Sequence, residues 1–251
     1  MKKRDENKRL EWLRGIIRDA PLEGPPVLQW VRRAPQGITR PSRSLGVFPS
    51  SFNPPTTAHS VLIERARTVE PMHEILLILD RRPLDKRVFG ASLEERLSMI
   101  LTGWQEDPTI SVAFTNRGRF VEKLALLKEA YPNNTTIKFI VGYDTLIRVL
   151  DPKYYKDRDD ALGRLFGDSR FLVAGRGNAS IEEIKELISR TDNRPFSERI
   201  IPFEIPHSMA NMSSTQARNE IRRGRDIDNC VPSEIASYIE RKGLYGKLRQ
   251  E

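Results

Sequence analysis

Six short apolar runs punctuate the chain from Ser44 onward: Leu45–Phe48, Ile75–Leu79, Ile110–Phe114, Ile137–Val141, Phe171–Ala174 and Ile200–Ile205. Runs this short, rich in β-branched and aromatic residues, predict strands buried on both faces. Between and after them apolar residues recur at helical spacing. The pattern predicts helices over Ala58–Val69, Ser92–Thr102, Arg119–Ala130, Asp144–Leu150, Ser180–Ser189, Ser214–Arg223 and Pro232–Lys242. Repeated β-α order implies an α/β fold: a mainly parallel, doubly wound sheet with helices on both faces.

The first 43 residues read differently. In "MKKRDENKRLEWLRGIIRDA" the residues Leu10, Leu13, Ile16 and Ile17 fall on one helical face, and "PLEGPP" stops the helix with Pro21, Pro25 and Pro26. The expectation is a basic amphipathic helix and an irregular, Pro-rich linker over 1–43, then one domain over 44–251. Charge supports that division. Residues 1–45 hold 11 Lys/Arg against 5 Asp/Glu, so +6 of the net +8 lies there. A helix packed on the domain is favoured over an arm that binds nucleic acid or a membrane surface.

Composition narrows the class without choosing a function. With 38% hydrophobic and 30% charged residues, and no apolar run near the ~20 residues of a membrane span, the chain reads as soluble and without a membrane partner. The single Cys230 excludes an internal disulfide and a multi-cysteine metal site. A cytoplasmic location is expected. Homo-oligomerisation is open.

Candidate chemistry sits where strands hand over to helices. In a doubly wound sheet, ligands bind beyond the carboxyl ends of the strands, where strand order reverses. "GVFPSSFNPPTTAH", Gly46–His59, follows the first strand of the domain and enters its first helix. It has neither the Gly-Lys-Ser/Thr of a P-loop nor G-x-G-x-x-G. Thr56 and His59, three apart, project from one face of the first turn, so a hydroxyl and an imidazole can both donate to phosphate oxygens. A plain helix cap with a satisfied histidine explains the pair equally well. "MSSTQARNEIRRG", after the last strand, repeats the arrangement: Ser213 and Ser214 cap, Thr215 opens the helix and Arg218 follows one turn on. Two helix starts that suit phosphate on one sheet are harder to dismiss than one.

These two blocks, with "VGYD" between them, resemble the HIGH-motif nucleotidyltransferase superfamily, and within it the nicotinamide and nicotinate mononucleotide adenylyltransferases. Gly46, Phe48, Ser51, Phe52, Asn53, Pro54, Thr56 and His59 match the first block, Gly142 and Asp144 the second, and Ser213, Ser214, Thr215 and Arg218 the third. The resemblance spans residues 45 to about 245 and implies a Rossmann-like domain. It implies transfer of AMP from ATP to the mononucleotide, with pyrophosphate leaving and Mg²⁺ carried mainly on the ATP phosphates. It assigns His59, Thr56 and Arg218 to catalysis. Gly46, Phe48, Ser51, His59, Gly142, Asp144, Ser213, Ser214, Thr215 and Arg218 fall to ATP, with Asp144 on the adenosine ribose. Ser50, Phe52, Asn53 and Lys86 are acceptor-side candidates.

The chain departs from the family at Pro49 and Ser50, and "DPKYYKD" lacks the tryptophan usual after the second block, leaving Tyr154 or Tyr155 to stack on a pyridine ring. Two alternatives accompany the main reading. One is a related nucleotidyltransferase or nucleotide hydrolase acting on another phosphorylated acceptor. The other is a non-catalytic nucleotide- or RNA-binding protein.

Overall fold

A computed structural model describes residues 3–82, 88–175, 180–210 and 212–246. Among the described residues seven strands form one sheet in the order β1 (Leu28–Arg32), β4 (Ile110–Thr115), β3 (Glu74–Asp80), β2 (Ser44–Pro49), β5 (Thr136–Gly142), β6 (Ser169–Gly175), β7 (Ile200–Glu204). Six are parallel, β2 through β7. The chain winds outward through β3 and β4, returns to β5 on the other side of β2, and continues to β7. The reversal therefore lies between β2 and β5. Each strand's pleat sends alternate residues to opposite layers. Leu76 and Ile78 of β3 join a core with Leu124, Leu146, Leu162 and Ile184, while Ile75, Leu77 and Leu79 join one with Leu13, Leu62, Ile63 and Leu97.

The covering helices follow from those cores. On one face lie α1 (Lys3–Asp19), α2 (Thr57–Val69) and α3 (Leu93–Gly103); on the other lie α4 (Phe120–Ala130), α5 (Tyr143–Leu150), α6 (Arg158–Asp168) and α7 (Ile181–Ser189). The short α8 (His207–Ala210) precedes α9 (Ser214–Arg222) and α10 (Ser233–Lys242). The last two make a third cluster with α3, through Met99, Ala217 and Tyr238.

Two elements differ from the sequence expectation. Residues 28–32, read as irregular linker, form the edge strand β1 (Leu28–Arg32), antiparallel to β4 with Leu28 opposite Thr115. Five residues between prolines and arginines give almost no periodic signal; the edge of β4 supplies the pairing. Helix α6 falls in a stretch to which the apolar pattern assigns no element. Its interior glycines, Gly163 and Gly167, weaken the helical signal. The Asp157 carboxylate nonetheless caps it by accepting from the Asp160 N–H (3.0 Å), and Leu162, Leu165 and Phe166 bury on the sheet. The amphipathic helix expected at the N-terminus is α1, held down by buried Leu13 and by a buried Glu6 that accepts from Arg241 of α10 (3.0 Å).

Candidate active site

At the carboxyl ends of β2 and β5 the strand reversal opens a cavity of about 880 Å³. Helices α2, α4, α5 and α9 all begin around it, each turning the positive end of its dipole toward the cavity. The three sequence blocks, far apart in the chain, meet here. Phe48, Ser50, Ser51, Asn53, His59, Gly142, Asp144, Tyr154, Tyr155, Ser213, Ser214, Thr215 and Arg218 all line the cavity.

The geometry around His59 decides what its ring can do. Its Nδ1 accepts from the Thr56 backbone N–H at 3.0 Å, with the Thr56 Oγ1 a further 2.7 Å partner. A nitrogen that accepts a backbone proton cannot carry one in the neutral ring, so the proton resides on Nε2. Nε2 lies 3.2 Å from Ser50 Oγ on the cavity wall. Phe52 and Phe48 hold the ring from behind, with centroids 5.0 and 5.7 Å away. His59 is thereby fixed as a donor facing the cavity.

The first and third blocks are joined directly. Ser214 Oγ donates to the Pro54 carbonyl (2.8 Å), Arg218 donates to the Asn53 carbonyl (2.6 Å) and to Thr215 Oγ1 (3.1 Å), and Tyr245 donates to Asn53 Oδ1 (2.8 Å). Asn53 in turn donates to the Phe89 carbonyl (2.8 Å). Ser213 caps α9 by accepting from the Gln216 N–H (3.1 Å). Desolvation draws the Arg218 guanidinium below its ordinary value, with the Tyr245 phenol opposing the shift. The result is a rigid polar collar with a guanidinium and three hydroxyls at one end of the cavity.

Three sequence candidates stand back from the cavity, and a fourth is not among the described residues. Thr56 is buried and reaches the cavity only through His59. Phe52 is fully buried between Phe48, His59 and Trp104, its backbone at φ 45° turning the ring inward, so it packs the site instead of touching a ligand. Gly46 lies inside β2, where an added Cβ would come within 2.4 Å of Met72 Sδ and 2.5 Å of Ile75 Cδ1; its role there is packing. Lys86 lies outside the described residues. Tyr155 keeps its ring on the cavity wall but donates its hydroxyl to the Val149 carbonyl (2.7 Å), and burial pushes that phenol up to about 12. Asp144 sits exposed in the first turn of α5, where the helix dipole favours a carboxylate.

Sequence reasoning missed the opposite wall. Lys123, almost fully buried on α4, pairs with Asp80 at the end of β3 (2.7 Å) and donates to the carbonyls of Gly118 (2.8 Å) and Arg117 (3.3 Å). Burial pushes the Asp80 carboxyl up from its ordinary value, against the pull of Lys123. Arg119 and Phe120 stand beside them on the cavity. Within "TNRGRFVEKL" a lysine gives no signal of burial; only its place on the inward face of α4, one turn past Arg119, could have marked it.

A mainly parallel sheet with helix starts around the cavity at its switch point, and a histidine donor opposite a serine-threonine-arginine collar, defines a nucleotidyltransferase of the HIGH-motif class. No protein-family model matches the chain. Among curated proteins, a Schizosaccharomyces pombe relative named "Putative nicotinamide mononucleotide adenylyltransferase" is 30% identical over 77% of this chain and 83% of its own length. A Moorella thermoacetica relative named "Probable nicotinate-nucleotide adenylyltransferase" is 26% identical over 83% of this chain and 94% of its own. The solved nicotinic acid mononucleotide adenylyltransferase of Plasmodium falciparum, complexed with NaAD, shares the fold, with a TM-score of 0.61 and 19% identity over 81% of this chain and 97% of that one. The chain belongs to the nicotinamide and nicotinate mononucleotide adenylyltransferase family and is an enzyme of the nucleotidyltransferase type. Among the described residues no helix is long and apolar enough to cross a membrane.

Proposed function

We propose that this chain transfers AMP from ATP to nicotinamide or nicotinate mononucleotide, forming the dinucleotide of NAD biosynthesis and releasing pyrophosphate. The observation that carries the reading is the joining of the first and third sequence blocks by Ser214–Pro54 and Arg218–Asn53 hydrogen bonds on the rim that holds His59. In the reaction a phosphate oxygen of the mononucleotide attacks the α-phosphorus of ATP. A new P–O bond forms, the bond from the α-phosphorus to the bridging oxygen breaks, and its electron pair leaves with pyrophosphate. The nucleophile is already ionised near neutral pH, so the work is alignment and stabilisation of charge.

The His59 Nε2–H donates to oxygens at the reacting phosphorus, while Ser213, Ser214, Thr215 and Arg218 hold the departing β and γ phosphates. Asp144 accepts from the adenosine ribose. The acceptor occupies the wall of Arg119, Phe120, Tyr154 and Tyr155, where flat rings and a cation suit a pyridine bearing a polar substituent. A Mg²⁺ ion fits a site built mainly of hydroxyls and cations if phosphate oxygens and water supply its ligands; bound that way, it neutralises charge on the triphosphate. The partners that follow are ATP and one small phosphorylated acceptor.

The reading is tested by supplying ATP and Mg²⁺ with each pyridine mononucleotide and measuring dinucleotide and pyrophosphate. Equal amounts of both are expected with at least one acceptor. AMP or phosphate released without an acceptor, and no dinucleotide, would overturn it in favour of a hydrolase.

A further inference from the structure

The N-terminal segment is not absorbed by the reaction as described, yet it touches the back of the cavity wall. After α1 ends, residues 20–27 run along the carboxyl ends of β3 and β4. Arg81 donates to the Ala20 carbonyl (2.6 Å), and Arg117 donates to the Gly24 carbonyl. Asn116, only 4% exposed, grips the segment with both ends of its amide: Oδ1 accepts from the Val27 N–H (2.9 Å) and Nδ2 donates to the Pro25 carbonyl (3.0 Å). One residue of loop thus satisfies a donor and an acceptor of an extended strand entry, immediately before β1 pairs with β4.

The other side of the same loop faces the cavity. Lys123 collects the carbonyls of Arg117 and Gly118 and the carboxylate of Asp80, and Gly118, Arg119 and Phe120 line the cavity. The four-residue turn 116–119 is therefore clasped from behind by Asn116 and from within by Lys123, with Arg119 presented to the cavity between them. Arg119 closes that turn on the cavity wall, close enough to the Tyr155 phenol to act on it electrostatically, so the course of the turn's backbone fixes where its side chain starts.

We propose that the segment 20–27 is a built-in buttress of the acceptor half of the site, and that Asn116 is its positioning residue: it sets the 116–119 turn, and through it Arg119 and Phe120, against the mononucleotide. The role assigned to that wall rests on the reaction proposed above. The ATP-side residues Ser213, Ser214, Thr215 and Arg218 share none of these hydrogen bonds, so the two halves should respond separately to loss of the clasp.

The test replaces Asn116 with Ala, and separately Arg117 with Ala as a milder variant that loses the side-chain hydrogen bond to Gly24 but keeps both Asn116 contacts and the carbonyl that Lys123 binds. Loss of the amide grip is expected to raise KM for the mononucleotide by about tenfold, the scale of one or two hydrogen bonds' worth of preorganisation, with KM for ATP held within about twofold. Arg117→Ala should shift the same constant in the same direction by less. Amide hydrogen exchange on the Asn116→Ala protein should quicken across residues 116–123 and stay unchanged in α2 and α9. Both KM values rising together, neither rising, or exchange unchanged at 116–123 would overturn the proposal. If the parent protein forms no dinucleotide, the reaction is wrong and not the clasp, which the exchange pattern then upholds or refutes alone.

Discussion

At the scale of the residue, one proton position organises the proposed chemistry. Thr56 contributes a backbone N–H and a hydroxyl to His59 Nδ1, which leaves Nε2 as the donor toward the cavity. A donor held in place before the reaction needs no reorganisation as charge grows on the transferred phosphoryl group. His59→Ala is therefore expected to lower kcat by ~100-fold or more, the cost of a lost transition-state donor. Thr56→Val removes only the hydroxyl and leaves the backbone donor, so it should lose less than His59→Ala and leave KM for ATP nearly unchanged. Steady-state kinetics on the two variants check the order. Turnover near the parent value in His59→Ala, or a deeper loss in Thr56→Val, would contradict the assignment.

At the scale of the element, the six parallel strands were legible because burial on both faces forces continuous apolar runs, and a periodic pattern survives in every helix with a dense apolar stripe. What escaped were elements whose reason lies in a partner distant in sequence. Strand β1 exists because β4 has a free edge, and α6 exists because Leu162, Leu165 and Phe166 find the sheet. The same logic divided the site. His59 and Arg218 were legible from short-range spacing at helix starts, whereas the Lys123–Asp80 pair depends on α4 lying over the end of β3. Gly46 was legible as a position and misassigned as a contact. An added Cβ there meets the side chains of Met72 and Ile75, so Gly46→Ala is predicted to cost ~1–2 kcal/mol of stability, at the low end for overpacking because both contacts are with side chains that can shift, not with backbone. A lower urea midpoint at unchanged m, with kcat near the parent value, is the expected result; loss of ATP binding without loss of stability would return Gly46 to the site.

At the scale of the whole molecule, the first 43 residues are bound into the fold at several separate places. Leu13 and Val31 lie in the same buried cluster as Phe48 and Leu77, and β1 covers the outer edge of β4. The Ile38 N–H donates to Glu74 at 2.6 Å, and that buried carboxylate also accepts from Ser111 and Tyr131, each at 2.6 Å. The Ala34 N–H satisfies Ser111 Oγ in turn (2.8 Å). Removing residues 1–43 would strip donors from a buried network, uncover a sheet edge and open one core layer at once. Each buried polar group left unsatisfied costs ~1–3 kcal/mol, against a total stability of roughly 5–15 kcal/mol for a whole domain. The shortened chain is expected to melt well below the full chain or to associate through the bare edge of β4, rather than to behave as an intact domain without its arm. Thermal unfolding and light scattering on the two chains decide the point: an equal melting temperature in a monodisperse, ATP-binding truncation would show that the domain needs nothing before Ser44.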